Sequence, residues 1–151
     1  IHQLKYKSKS RLAYYFGKEY AYLIPDDFIG DADGIISVPL HFLRQMQRGY
    51  NQADYFARGI VQNLNYKIPY LKNVLKRVKY TKTQTKLDRI ERQKNLSNAF
   101  IVNPRFIQTI QNRKLILVDD VITTGATTSI CAEVLSGAGV KSTYVISIAR
   151  G

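Results

Sequence analysis

Apolar residues recur along this chain in two kinds of pattern, short dense runs and stripes spaced three and four residues apart. The short runs predict β-strands at residues 35–38, 74–78, 99–102, 115–118 and 143–148. The spaced stripes predict helices from Ser10 to just before Pro25, from Asn51 to about Leu64, and over residues 127–137. Strands alternating with helices are typical of an α/β protein, so we expect a mostly parallel sheet flanked by helices. In such sheets, ligands bind beyond the carboxyl ends of the strands.

The segments between these elements carry polar and turn-forming residues. Asp and Gly residues predict a loop at 26–34, and residues 79–94 are polar and basic with a helical turn predicted at 88–93. The 151 residues contain no repeat or low-complexity tract and fit one domain spanning 1–151. No apolar run approaches the ~18 residues that span a membrane, so we expect no membrane insertion.

The segment after the strand at 115–118 has the most distinctive chemistry. Two carboxylates, Asp119 and Asp120, are expected at the exposed end of the strand. The loop that follows opens a helix and consists of Thr123, Thr124, Gly125, Ala126, Thr127 and Thr128. Free N–H groups and the dipole at a helix N-terminus favour an anion, so this loop is a candidate phosphate cradle. The adjacent carboxylates suit a ligand that also carries hydroxyl groups or a bound metal ion. The alternative is a turn whose Asp and Thr residues serve only as local caps.

A second candidate loop follows the strand at 35–38. It contains Arg44, Arg48 and Gly49 and ends at Asn51, a plausible helix N-cap. Guanidinium groups and free amides in such a loop can contact phosphate oxygens. The alternative is a structural turn with solvated arginines. In a parallel sheet, both candidate loops open on the same edge.

Charge and cysteine content narrow the functional classes. The formal net charge is +12, and residues 67–94 hold ten Lys or Arg residues against Asp88 and Glu91. A solvated basic face is the default explanation, and binding of a polyanion, either a diphosphate or a nucleic acid, is the sharper one. The single cysteine, Cys131, excludes a disulfide framework and a cysteine-based zinc site within the chain, and we expect it to be buried. Unpaired cysteine usage fits the cytoplasm.

The strand, the Asp119-Asp120 pair and the Thr/Gly-rich loop closely resemble the phosphoribosyl diphosphate (PRPP) motif of type I phosphoribosyltransferases. The resemblance implies that these two acids contact the ribose hydroxyls and that residues 123–128 bind the 5′-phosphate. It also implies Mg²⁺ as the cofactor, held indirectly through the acids and the ligand. The loop after the first strand would contact the diphosphate through Pro39, Leu40, Arg44 and Arg48.

More narrowly, the chain resembles the competence protein F family. The resemblance rests on Val38-Pro39-Leu40-His41, on Arg48-Gly49-Tyr50-Asn51-Gln52, and on the spaced residues Arg77, Thr83-Gln84, Leu87, Arg92, Asn95 and Ala99-Phe100. Residues 79–94 correspond in position to the flexible catalytic loop of phosphoribosyltransferases. In that loop Lys79 and Lys82 would bind diphosphate, and Arg89 and Arg92 would act in catalysis with the acid pair. Many family members carry an N-terminal four-cysteine zinc module, and no trace of it appears in these 151 residues; we expect either that the module has been removed from this sequence or that this member of the family lacks it.

Three functional hypotheses follow from the resemblance. The first is a phosphoribosyltransferase in which diphosphate leaves C1 and a nitrogen nucleophile attacks, with the acceptor unidentified. The second is a non-catalytic module that senses PRPP or a nucleotide. The third is a competence protein that handles single-stranded DNA during uptake. The partners expected are PRPP or a related sugar phosphate, single-stranded DNA, and either a second copy of the chain or proteins of the competence machinery.

Overall fold

The computed structural model describes residues 2–40, 46, 49–64, 67–78 and 98–151. In chain order the elements are α1 (His2–Ala21), α2 (Asp26–Gly30), β1 (Gly34–Ser37), α3 (Gln52–Asn63), β2 (Leu75–Arg77), β3 (Phe100–Val102), a 3₁₀ turn (Pro104–Phe106), α4 (Ile107–Ile110), β4 (Lys114–Ile122), α5 (Ala126–Gly137) and β5 (Ser142–Arg150).

A parallel sheet of three strands forms the centre of the fold, in the order β1-β4-β5. Ser37 at the end of β1 lies opposite Val118 of β4, and Val118 lies opposite Ile146 of β5. Strands β2 and β3 form a separate antiparallel pair, in which Arg77 lies opposite Phe100. The predicted α/β class with a parallel sheet flanked by helices is confirmed.

The side chains of the sheet alternate between two buried clusters. Ile36, Leu115 and Leu117 belong to one cluster, which also includes residues of α5 and of the β2–β3 pair. Ile116 and Val118 belong to the other cluster, which is covered by α3 and the end of α1. A strand buried on both faces needs apolar residues at consecutive positions, which explains the dense run at the centre of β4.

Two glycines allow the first and third helices to pack with their backbones in close contact. A Cβ atom on Gly17 of α1 would lie 2.1 Å from the carbonyl oxygen of Phe56 in α3. A Cβ atom on Gly59 of α3 would lie 2.0 Å from the carbonyl oxygen of Tyr14. Only hydrogen fits at either position, so this helix pair depends on both glycines.

The structure corrects three predictions about the elements and adds two elements that were not predicted. Helix α1 begins at His2 rather than near Ser10, because the intervening Lys and Ser residues contain no helix breaker. A short helix replaces the loop predicted after Pro25, with Asp26 and Asp27 in its first turn and Ile29 buried. The 3₁₀ turn and α4 were not predicted at all.

The strand predicted to end at Val118 is the third error, and it concerns the candidate site. Strand β4 continues to Ile122 because β5 runs beside it, with Asp119 opposite Ser147 and Val121 opposite Ala149. The paired acids therefore lie inside a strand, at the point where β1 has ended but β5 has not.

Among the residues that the structure describes, no helix combines the length and the apolar character needed to cross a lipid bilayer.

Candidate functional site

The loop after β4 is shaped by one glycine and closed by threonine hydroxyls. Gly125 has φ 76°, in the left-handed region, and immediately precedes the first residue of α5. The Thr128 hydroxyl donates to the carbonyl oxygen of Gly125 at 2.9 Å, and the Thr124 hydroxyl accepts from the Ala126 amide at 3.4 Å. The chain thus turns sharply into the helix, whose first-turn amides point back toward the loop.

This loop encloses a small cavity shared with one of the paired acids. Its volume is about 30 Å³. Its lining residues are Asp119, Val121, Ile122, Thr123, Thr124, Gly125, Ala126, Thr127 and Thr128. All six residues predicted to form the phosphate loop thus surround one space, and Asp119 borders it. The space is far below the ~300 Å³ of a typical small-molecule site, so it suits a terminal group such as a phosphate rather than a whole nucleotide.

The two acids differ in burial, which the sequence did not predict. Asp119 is only 9% exposed, so the expected exposed position of this carboxylate was wrong, whereas Asp120 is partly exposed. Neighbouring side chains alternate in direction along a strand, but the two carboxyl groups stay close enough for the Asp120 side chain to raise the pKa of Asp119. An oxygen of each carboxylate accepts the next backbone amide: Asp119 from Asp120 at 2.9 Å, and Asp120 from Val121 at 2.8 Å.

Burial makes the Asp119 carboxylate costly to ionise. Burial raises the pKa of Asp119 to about 6, the amide hydrogen bond from Asp120 lowers it, and the neighbouring Asp120 charge raises it. The positive charge of Arg77 also lowers the pKa of Asp119. A cationic or hydroxyl-bearing ligand would relieve the repulsion within the acid pair.

Arg77 is a residue of the site to which the sequence analysis gave no role. It ends β2, and its guanidinium carbon lies 5.2 Å from the centroid of the Phe100 ring. Its positive charge lowers the pKa of Asp119 in β4 and the pKa of Cys131 in α5, so the guanidinium group acts on both elements. The sequence signal that could have identified Arg77 is its position as a cation within the predicted strand at 74–78, whose first two residues pack in the core.

Cys131 is fully buried in α5, as predicted. Burial raises the pKa of its thiol to about 12, and the Asp119 charge raises it further. The thiol is therefore neutral and serves as part of the core.

A second cavity opens at the end of the neighbouring strand β1. Its volume is about 300 Å³, and its lining includes two of the residues predicted to bind diphosphate, Pro39 and Leu40, together with Gly49. Because Ser37 and Val118 lie side by side, the strand ends that precede the two loops share one edge of the sheet, as predicted.

Asn51 holds the two ends of the loop at 39–50 together. Its side-chain amide donates to the carbonyl oxygen of Val38 at 2.9 Å, and its side-chain oxygen accepts from the Ala53 amide at 3.1 Å. The predicted N-cap of the helix is confirmed, and the same side chain also fixes the end of β1.

A polar network that the sequence did not reveal lines this second cavity. The Tyr70 hydroxyl donates to Asp54, and Ser37 lies 2.9 Å from the same hydroxyl. Arg58 pairs with Asp54 at 3.2 Å. Burial, followed by the hydrogen bond to Asp54, raises the pKa of Tyr70, so this phenol stays protonated. The network joins α3 to the end of β1 through residues far apart in sequence.

Six residues assigned to the site from sequence lie outside the described residues. They are Arg44, Arg48, Lys79, Lys82, Arg89 and Arg92. Their assignments to diphosphate binding and catalysis stay predictions.

The chemistry of the donors fits an ion held jointly with a ligand. In the part of the chain that the structure describes, no group of three or more metal-ligating side chains comes together. Asp119 and Asp120 supply carboxylate oxygens, which Mg²⁺ prefers, and Mg²⁺ is commonly bound by one or two carboxylates plus phosphate oxygens. The acid pair therefore fits Mg²⁺ only when a phosphate-bearing ligand completes its shell.

Solved structures with the same fold identify its class. The chain superimposes on glutamine PRPP amidotransferase from Bacillus subtilis with a TM-score of 0.58 and 19% identity, covering 89% of this chain and 25% of that one. It superimposes on a hypoxanthine phosphoribosyltransferase from Trypanosoma cruzi with a TM-score of 0.54 and 15% identity, covering 93% and 66%. The protein therefore has the type I phosphoribosyltransferase fold.

Within that class, the sequence relatives are named for competence and for DNA utilization. The chain is 42% identical to Competence protein F of Haemophilus influenzae over 118 residues, 78% of this chain and 50% of that protein. It is 32% identical to the DNA utilization protein YhgH of Escherichia coli over 154 residues, 99% of this chain and 65% of that protein. The predicted resemblance to the competence protein F family is confirmed.

The chain spans about half of the length of the Haemophilus relative and 65% of YhgH. A scan against protein-family models finds no match.

Proposed function

We propose that this protein binds PRPP, or a closely related ribose 5-phosphate, at the carboxyl edge of its parallel sheet. The observation that carries the proposal is the shared cavity of the Thr123–Thr128 loop and Asp119, at the N-terminus of α5. The 5′-phosphate would occupy the loop, where helix amides and threonine hydroxyls donate hydrogen bonds. The ribose hydroxyls would donate to the acid pair.

The diphosphate would lie toward the neighbouring cavity at the end of β1. The volume of that cavity is about ten times the volume of the cavity in the Thr123–Thr128 loop, and Pro39, Leu40 and Gly49 border it. Gly49 has φ 74°, so the chain turns there into α3 with its backbone accessible to a ligand. The β1–β4 pairing ends at Ser37 and Val118, and it would set the spacing between the two proposed phosphate positions.

Mg²⁺ is proposed as the cofactor, and Asp119 and Asp120 together with the phosphate-bearing ligand would hold it. When bound, it would neutralise diphosphate charge and so assist departure of diphosphate as a leaving group. Asp119 would accept the ion in its ionised form, and Arg77 favours that form by its positive charge.

The reaction that this arrangement supports best is phosphoribosyl transfer. The C1–oxygen bond to diphosphate breaks with both electrons leaving on diphosphate, and a nitrogen nucleophile forms the new C1–nitrogen bond and loses a proton. Asp119 and Asp120 would orient the ribose through its hydroxyls, and the Thr123–Thr128 loop would anchor the 5′-phosphate. A PRPP-sensing module would use the same residues without the transfer step.

The names of the relatives favour a DNA-related setting for this chemistry. Competence protein F and YhgH are named for competence and DNA utilization, and the +12 charge of this chain suits a polyanionic partner. We propose that the protein acts in the handling of incoming DNA, with ribose phosphate binding as its catalytic or sensing activity.

Isothermal titration calorimetry with PRPP, in the presence and absence of Mg²⁺, tests the proposal. We expect a dissociation constant on the order of 1–100 μM with Mg²⁺ and at least about tenfold weaker binding in EDTA. Ribose 5-phosphate and diphosphate alone should each bind more weakly than PRPP, because each fills one of the two positions. A screen for diphosphate release with nitrogenous bases and amines then separates a transferase from a sensor. Failure of PRPP to bind under both conditions would refute the proposal.

A further inference from the structure

One face of helix α1 has no covering element in the part of the chain that the structure describes. Its opposite face is buried against α3 through the small residues Ala13, Gly17 and Ala21, at four-residue spacing. The uncovered face carries Leu12, Tyr15 and Phe16, which are 55%, 57% and 51% exposed. Large apolar side chains grouped on one helix face are typical of an interaction surface.

Two opposite charges lie at the ends of this face. Arg11 precedes Tyr15 by one turn, and Glu19 follows Phe16 by one turn on the same stripe. Both side chains are exposed, and neither forms an ion pair with another described residue. Along the helix, the stripe therefore has a cation at one end, an apolar centre and an anion at the other end.

Because of this order, the stripe is complementary in charge to the same stripe on a second helix that runs in the opposite direction. A two-fold axis placed between Tyr15 and Phe16 sets each of these rings opposite the other on a second helix. The same axis sets Glu19 of one helix opposite Leu12 of the other, with Arg11 one residue further along. Arg11 is long enough to reach across that one-residue offset.

We propose that this stripe is a homodimer interface, in which α1 packs antiparallel against α1 of a second copy. The aromatic rings form the buried centre, and two Arg11–Glu19 pairs close the ends. Glu19 at one end of the stripe disfavours nucleic acid as the occupant, because a carboxylate repels phosphate groups. A single pair of helices buries an area at the small end of interface sizes, so the dimer is expected to be weak.

The net charge of +12 on each copy adds a distinctive salt dependence. Long-range repulsion between two strongly basic copies is screened as salt rises from about 20 mM to about 150 mM. The dimer should therefore strengthen over that range, whereas binding to nucleic acid weakens.

Sedimentation analysis of charge-reversal variants tests the proposal. At about 150 mM salt the wild-type chain should dimerise with rising concentration, and Arg11→Glu and Glu19→Arg should each weaken the dimer at least about fivefold. The double variant Arg11→Glu with Glu19→Arg restores both pairs and should return to within about twofold of wild type. A wild-type chain that stays monomeric up to about 0.5 mM, or a double variant weaker than both single variants, would overturn it.

Cysteine cross-linking tests the position of the two-fold axis without depending on charge. The native Cys131 is fully buried, so an engineered surface thiol is the reactive one. Phe16→Cys lies next to the axis and should form a disulfide dimer under mild oxidation. Leu12→Cys, the matched control on the same stripe, would lie ~10 Å from its counterpart along the helix and should not. Equal cross-linking of both variants, or none at Phe16→Cys, contradicts the proposed axis.

Discussion

The Asp119 carboxyl lies in an environment that disfavours its charged form. It lies in β4 between buried neighbours, only 9% exposed, beside a second carboxylate. Burial raises its pKa to about 6, and the Arg77 charge opposes that rise. A carboxylate in such a place lowers the stability of the free protein, which is typical of residues kept for a ligand.

Replacing Asp119 by Asn should stabilise the free protein at alkaline pH. The pKa of Asp119 is higher in the folded protein than its ordinary value of 3.8, so ionisation lowers stability as the pH rises through about 4 to 6. Asp119→Asn should therefore increase the free energy of unfolding by about 1–3 kcal/mol at pH 8, and the gain should shrink toward zero near pH 4. Urea denaturation at several pH values measures this difference.

Glu133→Gln, on the exposed face of α5, is the matched control and should change stability by less than about 0.5 kcal/mol. A loss of stability in Asp119→Asn at pH 8 would contradict this prediction, because it would mean that the carboxylate stabilises the folded protein.

At the scale of elements, the packing of α1 on α3 fixes the base of the second cavity. Helix α3 carries Asp54 and Arg58 into that cavity, and Asn51 at its N-terminus fixes the end of β1. The position of α3 in turn depends on its contact with α1, which is the most extensive contact between any two of the described elements. The two glycines that allow α1 and α3 to pack closely therefore also help to position the end of β1 at the edge of the sheet.

Gly17→Ala should be strongly destabilising. A Cβ atom there would lie 2.1 Å from a backbone carbonyl oxygen, so the two helices must separate. We expect a loss of about 3 kcal/mol or more in the free energy of unfolding, measured by chemical denaturation. Gly137→Ala, in α5, has no atom within 4 Å of the added carbon and should be neutral or stabilising by up to about 1 kcal/mol. Similar effects for the two variants would contradict the close helix contact.

The elements that build the site were largely predictable, and the contacts between them were not. Dense apolar runs predict β1 and β4, and the Thr/Gly-rich segment before a helical stripe predicts the loop at 123–128, because these signals are local. The burial of Asp119 escaped prediction because it depends on β5 and Arg77, which are distant in sequence. The Tyr70 network escaped for the same reason. Gly17 and Gly59 gave a local signal, glycine within a helical pattern, that acquires meaning only when the two helices meet.

At the scale of the whole molecule, the excess of positive charge dominates long-range interactions. A net charge of +12 on 151 residues attracts any polyanion before specific contacts form. Both proposed ligands, a diphosphate ester and single-stranded DNA, are polyanions. Net charge alone does not distinguish the two ligands, but an experiment in which PRPP competes with single-stranded DNA shows whether they share a binding surface.

Single-stranded DNA should bind weakly, without sequence preference, and with strong salt dependence. Fluorescence anisotropy with a labelled oligonucleotide should show affinity falling at least about tenfold between 50 and 200 mM salt, because phosphate contacts release counterions. Adding PRPP with Mg²⁺ should displace the oligonucleotide if both ligands use the same basic surface. Absence of binding even at low salt would contradict direct DNA binding by these 151 residues.

The central claim is that the Asp119–Thr128 segment binds PRPP, and matched titration of an acid-pair variant tests it most directly. PRPP with Mg²⁺ should be titrated at pH 7.5 into the wild-type chain and into Asp119→Asn with Asp120→Asn, after circular dichroism has shown that both are folded. We expect PRPP to bind the wild-type chain and to bind the variant at least about tenfold more weakly, since each lost charge-assisted hydrogen bond is worth about 1.5–3 kcal/mol. Equal affinity in the two folded proteins would contradict the central claim.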